Sequence, residues 1–131
     1  MHQSQSKGKA AEILFELLCM KKQWHCCKPI ADFMHYDYIV DFGDGVFKKI
    51  QVKTVFYDKK TKQHRCDLRK NKNGTKNKEK YSQGDFDIVA ISVEINSWLL
   101  IPWDSIKSNT EIKLSDKRIK NEPIWTVSFD L

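Results

Sequence analysis

Long hydrophobic runs are missing from this 131-residue sequence, and none approaches the roughly 20 apolar residues that a membrane-spanning helix needs. Residues 2–7 are polar, and no apolar stretch of the kind found in secretory signals follows them. We therefore expect an intracellular, cytoplasmic protein that is not secreted and does not bind a membrane. The length suits a single domain, which we assign to residues 1–131.

The spacing of a common zinc site is also missing, since no two of the four cysteines form a C-x2-C pair. A zinc site would have to combine residues 25–27 with His64 and Cys66. Adjacent cysteines such as Cys26 and Cys27 rarely bind one ion together. We therefore interpret the cysteines as free thiols, as is usual inside cells.

Acidic residues are few between residues 47 and 80, which hold 13 basic and 3 acidic side chains. This segment has a net charge of +10, whereas the whole chain has a net charge of +6. Such a concentration of positive charge indicates a polyanionic partner, and nucleic acid is the commonest one. Charge alone leaves open the alternative that the segment is a solvated, lysine-rich surface.

The hydrophobic pattern predicts one helix followed by several strands. The helix covers residues 6–22, and its apolar stripe consists of Ala10, Ile13, Leu14, Leu17 and Leu18. Apolar, β-branched and aromatic segments predict strands at 24–27, 64–68, 86–94, 98–101 and 125–129, with a short helix around 104–107. Residues 70–80 contain one glycine and three asparagines among their lysines, which predicts a mobile loop.

The clearest local signal is a β-hairpin over residues 36–56, in which two β-rich segments flank a glycine-containing turn. If the turn is centred on Asp44, Asp37 faces Gln51 across the hairpin. Gln51 and Lys53 share one face of their strand, because side chains alternate along a strand. Asp37 and Lys53 are then diagonal neighbours on that face.

A carboxylate, an amide and an ammonium group at one spot suit phosphodiester hydrolysis. Asp37 can hold a hard divalent cation such as magnesium, which activates water and polarises a phosphoryl group. Lys53 can orient that water or stabilise developing charge, and Gln51 can direct its carbonyl to the metal or hydrogen-bond the nucleophile. Glu12, on the helix, is the natural second carboxylate. The alternative is an ordinary cross-strand Asp–Lys pair on a solvated face.

These residues resemble the PD-(D/E)xK nuclease superfamily, with Asp37 at the first position and Gln51-Val52-Lys53 as the second half. The wider runs 36–41 and 50–54 are most similar to the group I intron-encoded PD-(D/E)xK homing endonucleases. The resemblance to this group continues further along the chain, at Tyr81, Asp85-Phe86-Asp87 and Ile101-Pro102. The segment Gly8-Lys9-Ala10-Ala11-Glu12 resembles the first-helix glutamate motif of this group and of archaeal-type Holliday junction resolvases.

The sequence departs from the superfamily pattern at two points. Met34-His35-Tyr36 stand where a proline often precedes the aspartate, and Gln51 replaces the usual acidic residue. Homing enzymes of this kind resemble the sequence in having glutamine at that position, so we interpret Gln51 as a variant of the site. We interpret His35 as a solvated or hydrogen-bonded side chain, because Lys53 and a metal already supply the chemistry.

The resemblance implies an α/β fold with a restriction-endonuclease-like core, in which helices flank a mixed β-sheet. It implies a metal-dependent DNA endonuclease that hydrolyses phosphodiester bonds in double-stranded DNA at a specific site, as homing enzymes do. The catalytic residues would be Glu12, Asp37, Gln51 and Lys53, and Mg²⁺ (or Mn²⁺) would bind to Asp37, Glu12 and Gln51. A homodimer or higher homo-oligomer is implied, because one site per subunit must be doubled to cut two strands.

Two other functions remain open from the sequence. One is a Holliday junction resolvase that recognises branched DNA by its shape, and the other is a catalytically weak nucleic-acid-binding module. In each case the basic segment would bind phosphates. Its candidate DNA-binding residues are Lys48, Lys49, Lys59, Lys60, Lys62, Arg65, Arg69, Lys70, Lys72, Lys76 and Lys78, together with Lys80. Among these, Arg65 and Arg69 are the best suited to bidentate contacts.

Overall fold

One α-helix and eleven β-strands make up the part of the chain that the computed structural model describes, residues 3–31, 34–71, 77–94, 97–106, 110–114 and 125–128. The first elements are α1 (Gln3–Lys22), β1 (His25–Cys27), β2 (Tyr38–Asp41), β3 (Phe47–Thr54), β4 (Phe56–Asp58) and β5 (Gln63–Asp67). There follow β6 (Arg69–Asn71), β7 (Lys78–Lys80), β8 (Ile88–Glu94), β9 (Ser97–Pro102), a 3-10 turn (Trp103–Ser105), β10 (Glu111–Leu114) and β11 (Trp125–Ser128). No helix in these ranges is both long and apolar enough to cross a membrane.

The central layer is a six-stranded mixed sheet with the strand order β1-β2-β3-β8-β9-β11. β3 and β8 run parallel, with Ile50 beside Ile88, and the other neighbouring strands run antiparallel. Successive residues of β8 point to opposite faces, so that Ala90 belongs to one hydrophobic core and Val89 to the other. Both faces of the sheet are therefore covered.

Helix α1 covers the first face of the sheet. Three positions of the predicted apolar stripe are confirmed, since Leu18 is buried and Leu14 and Leu17 pack partly buried against the core. The stripe was wrong at Ile13, which is 64% exposed, and at Ala10, which is also exposed. Apolar residues lie on more than one side of this helix, and contact with the sheet selects the side that is buried. The buried side chains are Ala11, Phe15, Leu18 and Cys19.

A three-stranded sheet with the order β10-β5-β4 packs over the opposite face. The strand predicted at 64–68 is confirmed as β5, and it lies in this second sheet. Cys66, Ile112 and Leu114 from the second sheet are buried against residues of β8 and β9. Within the described residues, a sheet on one side and a helix on the other thus enclose the central layer.

The hairpin β2–β3 has the register that the sequence predicted, with Tyr38 opposite Ile50 and Asp41 opposite Phe47. The turn between the strands is fixed by Asp41, whose Oδ1 accepts hydrogen bonds from the N–H groups of Gly43 at 2.8 Å and Gly45 at 3.0 Å. Both glycines have positive φ angles, +117° and +77°, which residues other than glycine rarely adopt. Because the turn cannot slip, the register of the strands is set locally.

The prediction of a mobile loop at 70–80 was wrong at both ends of the segment, which are strands. β6 and β7 pair as a short antiparallel hairpin, with Arg69 opposite Lys80 and Lys70 opposite Glu79. Residues 72–76 of the predicted loop lie outside the described residues. Alternating charged side chains carry little strand signal in the sequence, whereas the antiparallel pairing supplies the backbone hydrogen bonds that define the hairpin.

Candidate active site

Asp37 and Gln51 meet across the β2–β3 hairpin. The Asp37 N–H donates to the carbonyl oxygen of Ile50 at 2.8 Å, which extends the ladder by one residue beyond β2. Its carboxylate Oδ2 accepts from the Val52 N–H at 2.8 Å and from Gln51 Nε2 at 3.0 Å. The side chain of Asp37 is therefore oriented by both the backbone and the side chains of β3, as expected from the predicted register.

Glu12 brings a second carboxylate to Asp37 from helix α1, within hydrogen-bonding reach. Burial raises the pKa of Asp37 to about 6, and the negative charge of Glu12 adds to the rise, whereas the Val52 N–H lowers the pKa. Tyr38 fixes the helix at this point, because its hydroxyl lies 3.2 Å from the Glu12 carbonyl oxygen and donates to Glu16 Oε2 at 2.7 Å. Two partly buried carboxylates that repel each other form a site suited to a cation.

Lys53 lies two residues after Gln51 in β3, and the two side chains are therefore on the same face of the strand. Its Nζ donates to the carbonyl oxygen of Arg69 at 3.2 Å and lies 5.3 Å from the centre of the Tyr81 ring. Burial lowers the pKa of Lys53, and the charges of Asp67 and Asp37 oppose the shift. The ammonium group is therefore half-buried and close enough to Asp37 for the two charges to interact.

The donor set of the site consists of two carboxylates and one amide. Among the residues that the structure describes, histidine, cysteine, aspartate and glutamate side chains nowhere form a group of three that could hold a metal ion. Gln51 stands where a third carboxylate would complete such a group. The four cysteines are free, with Cys19 and Cys66 buried, Cys26 partly buried and Cys27 exposed.

The predicted DNA-binding residues fall into three groups in the structure. The first group consists of exposed lysines. They are Lys59, Lys60 and Lys62 in the turn between β4 and β5, and Lys78 and Lys80 on β7. The second group is partly buried and consists of Lys48 and Lys49. The Nζ of Lys49 donates to the Gly84 carbonyl oxygen. Lys72 and Lys76 lie outside the described residues.

The third group consists of basic residues that are held by carboxylates of the same chain. Arg65 contacts Asp58 at 3.1 Å and Glu111 at 2.6 Å. Arg69 contacts Asp67 at 3.0 Å, and Lys70, only 13% exposed, contacts Asp85 at 2.7 Å. These three side chains cross-link neighbouring elements, whereas the lysines of the first group extend into solvent.

Sequence reasoning missed two contacts of the site. In the sequence, Tyr81 carries only a family resemblance, yet its ring lies against Lys53. Tyr38 lies in the predicted hairpin with no role assigned to it, yet it joins β2 to α1 next to Glu12. Inward alternation along β2 could have indicated a buried Tyr38, but no local pattern indicates which ring will lie on Lys53.

Comparisons with known proteins agree with this geometry. A family model described as PD-(D/E)XK endonuclease matches residues 2–128. Protein 5.3 of Escherichia phage T7 is 29% identical over 112 residues, a match that covers 86% of this chain and 91% of that protein. A solved structure of a bacterial homing endonuclease, I-Ssp6803I, has a TM-score of 0.74 and 29% identity, over 89% of this chain and 82% of that chain.

The expected α/β fold with a mixed sheet is confirmed by this structural likeness, and the family resemblance seen in the sequence is confirmed by the family match. The match extends over nearly the whole length, from α1 to β11, so it includes the hairpin and the helix that carry the site. The chain belongs to the PD-(D/E)XK endonuclease family.

Proposed function

We propose that the chain is a metal-dependent endonuclease that hydrolyses phosphodiester bonds in double-stranded DNA at a specific site, as a homing enzyme does. One observation carries the proposal, namely that Glu12 from α1, and Gln51 and Lys53 from β3, all converge on Asp37. The likeness to a bacterial homing endonuclease supports the site-specific form of the activity.

A divalent cation fits the carboxylate pair of Glu12 and Asp37. A buried carboxylate whose pKa is raised to about 6 beside a second one is stabilised by a positive charge between them. Mg²⁺ needs only one or two carboxylates, since water and substrate oxygens complete its ligands, and Mn²⁺ accepts the same set. The carbonyl of Gln51 would be a further ligand. When bound, such an ion polarises the phosphoryl group and lowers the pKa of a water molecule.

The residues of the chain then divide the work of hydrolysis. The Val52 N–H fixes the orientation of the Asp37 carboxylate, so that its oxygen atoms would keep one position beside the scissile bond. Lys53 presents an ammonium group that can donate to a phosphoryl oxygen and stabilise the negative charge that grows there. Gln51 orients the Asp37 carboxylate through its amide, at 3.0 Å. The exposed lysines of the β4–β5 turn and of β7 bind phosphates away from the reacting bond.

We further propose that the active form is a homodimer or a higher homo-oligomer. The site described above is built around one carboxylate pair, Glu12 and Asp37, and each strand of a duplex needs its own site for a double-strand cut. Light scattering of the free protein and of its DNA complex measures the number of subunits. A monomer on DNA that still cuts both strands would contradict this part of the proposal.

A cleavage assay tests the activity. The substrates are long linear DNA from the neighbourhood of the gene and a synthetic four-way junction, each with magnesium or with a chelator. We expect magnesium-dependent cutting of one site in the linear DNA. Preference for the junction whatever its sequence would instead identify a resolvase, and binding without cutting of either substrate would identify a binding module.

Variants separate the chemistry from binding. Asp37→Ala and Lys53→Ala should abolish cutting, whereas Lys53→Ala should keep most of the affinity, because it removes only one of many positive charges. Asp104→Asn is the matched control, since it removes an exposed carboxylate of the 3-10 turn. Equal loss of cutting and binding in Lys53→Ala would assign Lys53 to the basic surface rather than to the chemistry.

Metal binding has a readout that is independent of cleavage. A ligand that binds only the folded state raises the melting temperature. We expect Mg²⁺ to raise the melting temperature of the wild type and of Asp104→Asn, and to leave that of Asp37→Ala unchanged. The same rise in all three proteins would place the ion elsewhere.

A further inference from the structure

Lys53 takes its position from residues outside its own strand. A lysine side chain has a long, flexible carbon stem, so that the backbone of β3 alone does not define where the ammonium group lies. Two direct contacts within the described residues define it, the Arg69 carbonyl oxygen at 3.2 Å and the face of the Tyr81 ring at 5.3 Å. Arg69 begins β6, and Tyr81 directly follows β7, so both contacts come from the same short hairpin.

Tyr81 is in turn held firmly from behind. Its ring packs edge-on against Phe86, with 5.0 Å between the ring centres, and Phe86 packs in the same way against Trp103 at 5.1 Å. Phe86 is only 1% exposed and belongs to the core between the two sheets. Three aromatic rings therefore run from the core to the Lys53 ammonium group, in the edge-to-face contacts that aromatic rings prefer.

A partly buried ion pair also contacts the face of the same ring. The Nζ of Lys70 lies 5.8 Å from the centre of the Tyr81 ring and 2.7 Å from Asp85 Oδ2. Asp85 also accepts from the Ser82 N–H at 2.8 Å. The side chains of Lys70 and Asp85 are 13% and 14% exposed, so that solvent screens their attraction only weakly. The pair fixes β6 to the turn that follows Tyr81.

We propose that Tyr81 is a positioning residue for the proposed nuclease reaction, because its ring face holds the Lys53 ammonium group next to Asp37, and that the Lys70–Asp85 pair keeps the ring in place. The inference rests on the proposed function and deepens it. The face of an aromatic ring attracts a cation through its quadrupole, and the attraction needs no hydroxyl group. Tyr81→Phe therefore keeps the proposed role, whereas Tyr81→Leu removes it.

The first measurement is the rate of a single turnover at saturating protein, together with the dissociation constant for DNA in chelator. We expect Tyr81→Leu to cut about 10- to 100-fold more slowly with an unchanged dissociation constant, as for a catalytic group displaced by about 1 Å. Tyr81→Phe should restore most of the rate, and Asp85→Asn should show a smaller loss than Tyr81→Leu. Tyr57→Leu is the matched control, because Tyr57 is 49% exposed and its ring packs on His64, at 5.1 Å between ring centres.

The second measurement reports the contact without any cleavage. Reductive methylation with ¹³C labels each lysine amine and keeps its charge, and the Lys53 signal is assigned by its disappearance in Lys53→Arg. We expect an upfield ring-current shift for Lys53 in the wild type and in Tyr81→Phe, and no such shift in Tyr81→Leu.

Several outcomes would overturn the inference. One is a wild-type rate in Tyr81→Leu, whether its dissociation constant for DNA is unchanged or higher. Another is a rate loss in Tyr81→Phe equal to that in Tyr81→Leu. The last is an unshifted Lys53 signal in the wild type. A wild-type protein that shows the Lys53 shift but cuts neither DNA substrate would overturn the proposed function instead.

Discussion

The Asp37 side chain is fixed in orientation, and its ionised form is costly in the folded protein. Two donors from β3 fix its Oδ2, while burial and Glu12 make its charge costly. A carboxylate that is oriented but poorly neutralised is typical of functional sites, because folding alone would favour a neutral group there. The charge of Asp37 therefore has a measurable cost in stability.

We predict that this cost depends on pH. The pKa of Asp37 rises from 3.8 to about 6 on folding, so between about pH 4 and pH 6 the folded state binds more protons than the unfolded state. The contribution of Asp37 to the free energy of unfolding should then fall as pH rises through this window, by about 1 to 3 kcal/mol in the absence of metal.

Urea unfolding of the wild type and of Asp37→Asn at pH 4.5 and pH 7 measures this contribution. The difference between the two proteins isolates Asp37 from the other carboxylates. Asp37→Asn should gain stability relative to the wild type on going to pH 7, whereas Asp104→Asn should follow the wild type. A constant difference between Asp37→Asn and the wild type across the window would contradict the prediction.

At the scale of elements, helix α1 decides whether Glu12 reaches Asp37. The helix is held on the sheet by its buried side and by the Tyr38 hydroxyl, and the opposite side carries the exposed Ile13 and Met20. Hydrophobicity alone does not distinguish these two sides. The sequence pattern placed Ile13 in the core, and the structure places Phe15 there.

A pair of substitutions on α1 tests which side is buried. Phe15→Ala should lower the free energy of unfolding by about 3 to 5 kcal/mol, because it leaves a cavity between the helix and Trp98. Ile13→Ala should change it by less than about 0.5 kcal/mol, as for exposed positions. Urea denaturation of both variants gives the two values, and a reversed order would mean that the helix is rotated from its position in this structure.

At the scale of the whole molecule, the basic segment is less uniform than its net charge suggests. Some of its charges are neutralised by carboxylates from distant parts of the chain, as Arg65 is by Glu111 on β10. The lysines of the β4–β5 turn are exposed to solvent. Counterion release on DNA binding depends on charges that reach phosphates, so the exposed lysines should dominate the salt dependence.

We predict that replacing Lys59, Lys60 and Lys62 with glutamine reduces the slope of log Kd against log salt by about 2 to 3, close to one for each lysine that binds a phosphate. Arg65→Gln should change the slope by less than one of these lysines does, and should instead lower the free energy of unfolding, since it breaks the ion pairs with Asp58 and Glu111. Fluorescence anisotropy at several salt concentrations measures the slopes. A larger slope change in Arg65→Gln than in the triple variant would assign the main phosphate contacts to Arg65.

The amino-acid sequence was sufficient to define the β2–β3 hairpin, its register and therefore the meeting of Asp37 with Gln51 and Lys53. This part was predictable because a short turn with two glycines at positive φ favours one pairing of its own strands. The family pattern lies on the same hairpin, so the candidate site could be named from sequence as well.

Contacts between elements that are distant in the chain were set by tertiary packing instead. These include the side of α1 that is buried, the pairing of β6 with β7, the ring of Tyr81 on Lys53, and the pairing of Arg65 with Glu111. Such contacts depend on how the layers pack, because elements that are apolar or charged on several faces have more than one partner available. Packing of the helix and the second sheet against the central sheet removes that choice.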